Sequence, residues 1–419
     1  MARARLSPWL ALLRPGDVLM LALAVGLALA SFVWLWRDGV AEGRPRGPEP
    51  PAFCIQRGFA DFLTSLSDEE VVRCESEGLA SRLSALPHAP RDLVELAQNL
   101  LEIAQLPEPV HKDKLARLDK QRSVSERKQS EIEALLSLVA PLAARAERVV
   151  DVGSGRGHFT RIAAEVFDRD AIGIERVPER VVTAERLGAG TRATFVLLDA
   201  TNQALGLQAR DLAIGLHACG ALGDRLILEA SEARCDVVLV SCCLQKIPPP
   251  ARQPSSRAAR AAGFVLSKES LGLSNLTARK QGVETTLEET MDARRKRWAL
   301  TRLLRHRGLT VQPGEEMRGL NRRLAHRPFA DLVQRALTRR DLTPASVAEI
   351  EEHDRQGSLE FDKMRRFSLP RAMLARALEV TVALDRATSL EECGYAASVV
   401  EICSLDVTPR NLATIASAH

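Results

Sequence analysis

The residues best suited to chemistry in this 419-residue chain lie between Asp151 and Lys246. Asp151-Val152-Gly153-Ser154-Gly155-Arg156-Gly157 follows a short apolar run and precedes the helical pattern Phe159 to Val166. Glycines there let the backbone turn tightly and approach a ligand closely at a helix N-terminus. A dinucleotide fingerprint wants glycine at the first, third and sixth positions, and the sixth here is His158. Carboxylates close the next two apolar runs: Glu175 and Asp199, the latter followed by Ala200. Two further runs end in His217-Ala218-Cys219-Gly220 and in Ser241-Cys242-Cys243-Leu244-Gln245-Lys246. Imidazole moves protons near neutral pH, thiolate is a nucleophile, and both bind soft metals.

For these groups to act together, the ends of separate runs must meet. The runs Arg148 to Val152, Ala171 to Glu175, Thr194 to Leu198, Asp211 to Leu216 and Asp236 to Val240 alternate with helical patterns. That alternation predicts buried strands in a parallel sheet wound on both faces. Ligands bind outside the carboxyl ends of such strands, so the glycine loop, both carboxylates and the His/Cys segments face one pocket. Ahead of the core, taken as residues 125–269, residues 53–124 read as a helical region. Leu93, Leu96, Leu100 and Ile103 there show helical spacing, with breaks at Pro87, Pro90 and Pro107. A helix is expected from about Ser125 to Val139. Residues 270–393 read as a helical insert broken at Pro313, Pro328 and Pro344. Residues 394–419 close the chain with a hairpin, Ala397 to Leu405 and Leu412 to Ala416, around a turn at Asp406 to Asn411. No internal repeat is visible.

The G-x-G-x-G loop after an acidic residue resembles motif I of class I S-adenosylmethionine (SAM) dependent methyltransferases. In that reading Gly153, Ser154, Gly155 and Gly157 cradle SAM and Asp151 sits near its cationic methionine part. Glu175 accepts the ribose hydroxyls, and Asp199 with Ala200 meets the adenine. The acceptor then lies beside His217, Cys219, Cys242 and Cys243, the candidate catalytic residues. For a nitrogen or oxygen acceptor His217 is the general base; for a pyrimidine carbon a cysteine adds to the ring and another assists. The four are also soft ligands in a permissible number for a metal, although no metal site is assigned, and buried cysteines are often plain small hydrophobes.

The set VVDVGSGRGHFTR, GLHACGAL and VLVSCCLQKI, in this order, is similar to the methyltransferase-like family described as containing a ribosomal RNA adenine dimethylase-type domain. Arg127-Lys128-Gln129-Ser130-Glu131-Ile132 matches that family's K-K-x-H-E-hydrophobic opening helix, with Ser130 in place of the histidine. Leu384-Asp385-Arg386 and Asp406-Val407-Thr408-Pro409-Arg410-Asn411 match its LDR and D-x-x-S-P-R-N stretches. The resemblance covers about Phe59 to Ala418. It implies a Rossmann-like, doubly wound seven-stranded class I methyltransferase sheet, with a helical N-terminal region and a helical insert before the last hairpin. It implies SAM as cofactor and leaves the substrate open. RNA is the expected acceptor, protein a lesser one; the alternative is a non-catalytic module that binds SAM or metal.

Composition limits the rest. Apolar residues make up 46% and charged residues 27%, which excludes a disordered chain and a polytopic membrane protein. A net charge of +4 excludes a chain that coats nucleic acid along its whole length. Between Arg279 and Arg327 stand 13 basic and 6 acidic residues, a local +7 that leaves the remainder at −3. That basic insert is expected to bind RNA through phosphates. Aromatic residues are 4%, with Tyr395 the single tyrosine, which argues against a broad base-stacking surface. Eight scattered cysteines, two of them adjacent, read as thiols in a reducing compartment rather than a disulfide framework. Val18 to Trp36 carries no charge and is long enough to cross a bilayer, so residues 1–38 are read as a leader. It would tether a cytoplasmic body through the linker 39–52; a signal peptide ending near Ala28-Leu29-Ala30, or an upstream start on a soluble cytoplasmic protein, are the alternatives.

Overall fold

The computed structural model describes residues 45, 47–104, 106, 126–277, 286–312, 314–405, 407–408 and 410–418. The hydrophobic leader lies outside them. Among the described residues no helix is long and apolar enough to cross a membrane.

Seven strands form one sheet: β1 (Arg148–Val152), β2 (Asp170–Glu175), β3 (Ala193–Leu197), β4 (Asp211–Leu216), β5 (Asp236–Val240), β6 (Ala396–Glu401) and β7 (Leu412–Ser417). Their order is β3-β2-β1-β4-β5-β7-β6. The first five are parallel; β7 runs antiparallel to β5 and to β6. Crossover helices explain the parallel part: His158–Phe167, Pro178–Gly188 and Ala221–Ala233 each carry the chain back to the start of another strand. A hairpin needs no crossover, and so the last two strands reverse. Val149, Val150, Leu212, Ile214, Val238 and Val240 are buried, because strands covered on both faces need apolar side chains on both. This is the α/β architecture expected, with strand ends within one residue of expectation for β1 to β5. The expected strand Ala397 to Leu405 ends earlier, at Glu401.

Two differences concern the helices. Glu126–Ala143 continues through Pro141, beyond the expected end at Val139, and Val347–Glu391 is a single helix of 45 residues running through Pro370. A two-stranded pair, Ala251–Arg252 with Leu266–Ser267, was not expected.

The chain divides into two compact units. One contains the sheet, its helices and the segment from Leu374 onward; the other combines residues within Arg37–Gln98 and Gly282–Met373. The N-terminal helices and most of the insert, read separately from sequence, share one unit, and the insert's part of that unit runs from Gly282 to Met373. The core of the second unit includes Leu300, Leu303, Leu304, Leu332, Val333 and Leu337.

The basic run of the second unit is largely paired with acids of the same unit. Arg295 bonds Asp292 and Asp354, Lys296 bonds Asp292, and Arg297 bonds Glu316. Arg302 and Arg307 bond Glu360 and Glu349 at 2.8 and 2.6 Å. Three of these carboxylates lie beyond Arg327, so a local charge count does not see them. Arg318, Arg322, Arg323 and Arg327 are exposed and form no ion pair among the described residues.

Candidate active site at the carboxyl ends of the strands

The loop after β1 is shaped by glycines in the left-handed region, Gly153, Gly155 and Gly157, at φ of 85, 61 and 71°. Backbone N–H groups of Gly153 and Ser154 both donate to the carbonyl of Ile174, which ties the loop to β2. At Gly157 a Cβ would collide with the Phe195 ring; at Gly155 it would meet nothing within 4 Å. One glycine therefore serves packing, and the other opens toward free space.

Glu175, buried at the end of β2, accepts from Gly155 N through Oε2 at 3.0 Å, and through Oε1 from Arg176 N and Val177 N at 2.9 and 3.0 Å. Asp199 is half-buried and leads into the turn after β3. Its Oδ1 accepts from Thr201 N and Oγ1, its Oδ2 from the Asn202 amide, and these bonds hold the carboxyl below its ordinary range. Ala200 beside it is buried. Asp151 is buried; desolvation pushes its carboxyl up to about 6, against a 2.6 Å bond from Thr160 Oγ1 and the nearby Lys128 charge. Burial also holds His158 down to about 4.

His217 follows β4 with a left-handed φ of 65°, rare for a non-glycine residue. Its Nε2 lies 3.2 Å from Oε2 of Glu131, a buried residue of the Glu126–Ala143 helix. Lys128, one turn earlier, interacts electrostatically with both Glu131 and Asp151, while burial holds its own ammonium below the usual range. Glu131 and Lys128 were not singled out from sequence, although their spacing of three puts them on one helix face. Ser130 on the same helix is exposed.

Free thiols were expected, but Cys219 and Cys242 form a disulfide and leave Cys243 as the free thiol of the cluster. The cause is topological: β4 and β5 are neighbours, so the segments leaving them run side by side. With Cys219 and Cys242 bonded, addition to a pyrimidine ring through either requires prior reduction.

Arg386, fully buried, braces these segments by donating to Asp224 Oδ1 at 2.9 Å, Ser241 Oγ at 2.5 Å and the Gly220 carbonyl at 3.2 Å. Arg252 bonds Asp224 and Asp385 at 2.9 and 2.8 Å. Burial alone would raise the Asp224 carboxyl, but the Arg386 and Arg252 charges outweigh it and hold it low. Arg410 bonds Glu379 and the Ser274 carbonyl, both at 2.9 Å, and lines a small cavity with Ser241, Cys242 and Leu412. Asn411 instead pins the closing turn by donating to the Cys403 carbonyl.

The residues at the mouth of β1 and β2 fit a cationic nucleoside such as SAM. Among the described residues Ser154 Oγ is buried without a hydrogen-bond partner, Gly155 opens to free space, and the buried Asp151 carboxylate gains from any cation brought to it. Gly153, Ser154, Gly155, Glu175 and Asp151 are the residues that would hold it, with Gly157 shaping the loop.

Residues 127–249 match the family model of a methyltransferase domain. The chain is 28% identical over 178 residues to a glutathione S-transferase C-terminal domain-containing protein homolog of Drosophila melanogaster, a match covering 42% of this chain and 30% of that protein. Among solved structures it is similar to coclaurine N-methyltransferase bound to N-methylheliamine and S-adenosylhomocysteine (15% identity, 45% of this chain and 62% of that one, TM-score 0.25). It is also similar to magnesium protoporphyrin IX methyltransferase of Synechocystis with bound S-adenosylhomocysteine (15%, 40% and 84%, TM-score 0.23). Likenesses this loose add little to the sheet itself. With the strand order β3-β2-β1-β4-β5-β7-β6 and a matching methyltransferase-domain model over residues 127–249, the chain carries a methyltransferase domain of the class I, Rossmann-like fold.

Proposed function

We propose that this chain transfers a methyl group from SAM to a nitrogen or oxygen of an RNA acceptor, with His217 as general base. The observation that carries this reading is the Glu131–His217 contact, which supplies a proton acceptor with a carboxylate partner beside the fitted cofactor site. SAM, when bound, supplies an electrophilic methyl group. Glu175 and the glycine loop fix the nucleoside, and Asp151 holds the cationic end, so the domain can present the methyl group in one direction. His217 takes the acceptor's proton, and Glu131 stabilises the resulting imidazolium and fixes the ring. RNA as acceptor draws on the resemblance to the ribosomal RNA adenine dimethylase-type family and on the exposed arginines between Arg318 and Arg327.

The test uses the full chain with methyl-labelled SAM and total RNA, and reads label in nucleosides by mass spectrometry. Wild type labels one nucleoside and His217→Ala does not, although calorimetry finds SAM bound by both. Labelled protein with unlabelled RNA moves the acceptor to protein; no SAM binding by wild type overturns the reading as a whole.

A further inference from the structure

We propose that Cys219, Cys242 and Cys243 form a zinc(II) site whose oxidised, metal-free state is the Cys219–Cys242 disulfide. Their three sulfur atoms all lie within 4.8 Å of one another. Thiolates on one face of a tetrahedral zinc, with Zn–S near 2.3 Å, sit about 3.8 Å apart, so once the Cys219–Cys242 bond is reduced the three sulfurs are close enough to share one ion.

The backbone beneath them is held independently of the sulfurs. Gly220 has a φ of 54°, and a Cβ there would strike the Lys246 carbonyl, so the two segments meet backbone to backbone. Ala221 N donates to the Lys246 carbonyl at 3.0 Å, and Lys246 N to the Cys243 carbonyl at 3.1 Å. Arg386 bonds Gly220 and Ser241, the neighbours of Cys219 and Cys242. Ligands on a braced frame lose little freedom on binding a metal. Charge also fits: three thiolates around one zinc(II) carry a net −1, and Lys246 Nζ lies 3.9 Å from Cys219 Sγ.

A disulfide serves two of the three sulfurs and gives Cys243 no role, whereas a metal uses all three. Conversion is balanced. A dithiol reductant delivers two electrons and two protons to the disulfide and leaves as its own cyclic disulfide. Zinc(II) then displaces three protons from three thiols and forms three Zn–S bonds, with the fourth position left for water. The site does not depend on the methyltransferase reading.

The test is the full chain reduced under argon, freed of small thiols and titrated with zinc(II), and with cobalt(II) as a spectroscopic probe. One zinc per chain and an intense sulfur-to-cobalt charge-transfer band in the near ultraviolet are expected. Cys243→Ser, which leaves the disulfide pair intact, is expected to weaken zinc binding at least 100-fold, and peroxide to release the metal. Circular dichroism shows whether each variant is folded; if Cys243→Ser is not, X-ray absorption at the zinc edge of wild type decides. Reduced wild type that takes up no zinc, a folded Cys243→Ser that binds as tightly as wild type, or a zinc edge lacking sulfur neighbours overturns the proposal.

Discussion

Glu131 Oε2 stands 3.2 Å from His217 Nε2 across 86 residues of sequence, joining the helix that opens the domain to the loop that leaves β4. The carboxylate sets which ring nitrogen carries the proton and stabilises the charged imidazole once a proton arrives. Glu131→Gln keeps the shape and removes the charge. We expect kcat to fall by about 10–100-fold with SAM affinity unchanged, and His217→Ala to fall by about 100- to 10,000-fold, the range of general base catalysis. Steady-state kinetics with calorimetry on the same samples checks both. Equal losses in SAM affinity would place the pair in cofactor binding instead.

Asp151 gives the fold a pH dependence of opposite sign to a salt-bridged carboxylate. Its folded value, about 6, lies above the ordinary 3.8, so the folded state holds the proton more tightly than the unfolded chain. The stabilisation from the protonated form is complete below pH 3.8 and is lost as pH rises through 6, to an extent on the order of 1–3 kcal/mol. Asp151→Asn should remove that decline in ligand-free melting temperature. A bound cation reverses the preference, so SAM affinity of wild type should rise through pH 6, whereas Asp151→Asn binds weakly at every pH. Melting curves and calorimetry between pH 4.5 and 8 decide; a flat wild-type profile in both would reject the role of Asp151.

Arg386 and Asp224 test how the site is braced. Arg386 is fully buried, and Asp224 receives both it and Arg252. Asp224→Asn leaves two buried guanidinium groups short of a counter-charge, and breaking such a pair costs about 3–5 kcal/mol. We expect a drop of that size in urea unfolding at pH 7. A loss below about 1 kcal/mol would mean that Asp385 alone holds the arginines.

The core was legible because buried parallel strands are short apolar runs ended by polar residues, and Arg148 to Val152 or Asp236 to Val240 show that pattern without competition from another period. The glycine loop and Glu175 were legible for the same reason, since both are fixed by strand ends. Glu131 was harder. The K-K-x-H-E resemblance reaches it, but the helical pattern does not show that this position is buried, and its partner is distant in sequence. The long helix Val347–Glu391 hid its division between two units because continuity of backbone says nothing about which unit each turn packs in. Ion pairing in the basic insert escaped for want of tertiary information: Asp354, Glu360 and Glu349 lie outside the window in which charge was counted.

That last difference changes where RNA should bind. A guanidinium already bonded to a carboxylate must break that bond to meet a phosphate, so Arg295, Arg297, Arg302 and Arg307 are poor contacts despite their density. Arg322, Arg323 and Arg327 are exposed and can meet phosphates without such a loss. Each phosphate contact on a single strand contributes about −0.7 to the slope of log affinity against log salt. Replacing Arg322, Arg323 and Arg327 together with Gln should weaken RNA binding and reduce that slope by about 2, with little change in stability. Replacing Arg295 and Arg297 with Gln should do the reverse, lowering stability because Glu316 and Asp354 lose their partners while the salt slope holds. Fluorescence anisotropy with a labelled single-stranded RNA from 50 to 300 mM salt separates the two sets, and equal slopes for both would show that the phosphate-tracking face lies elsewhere.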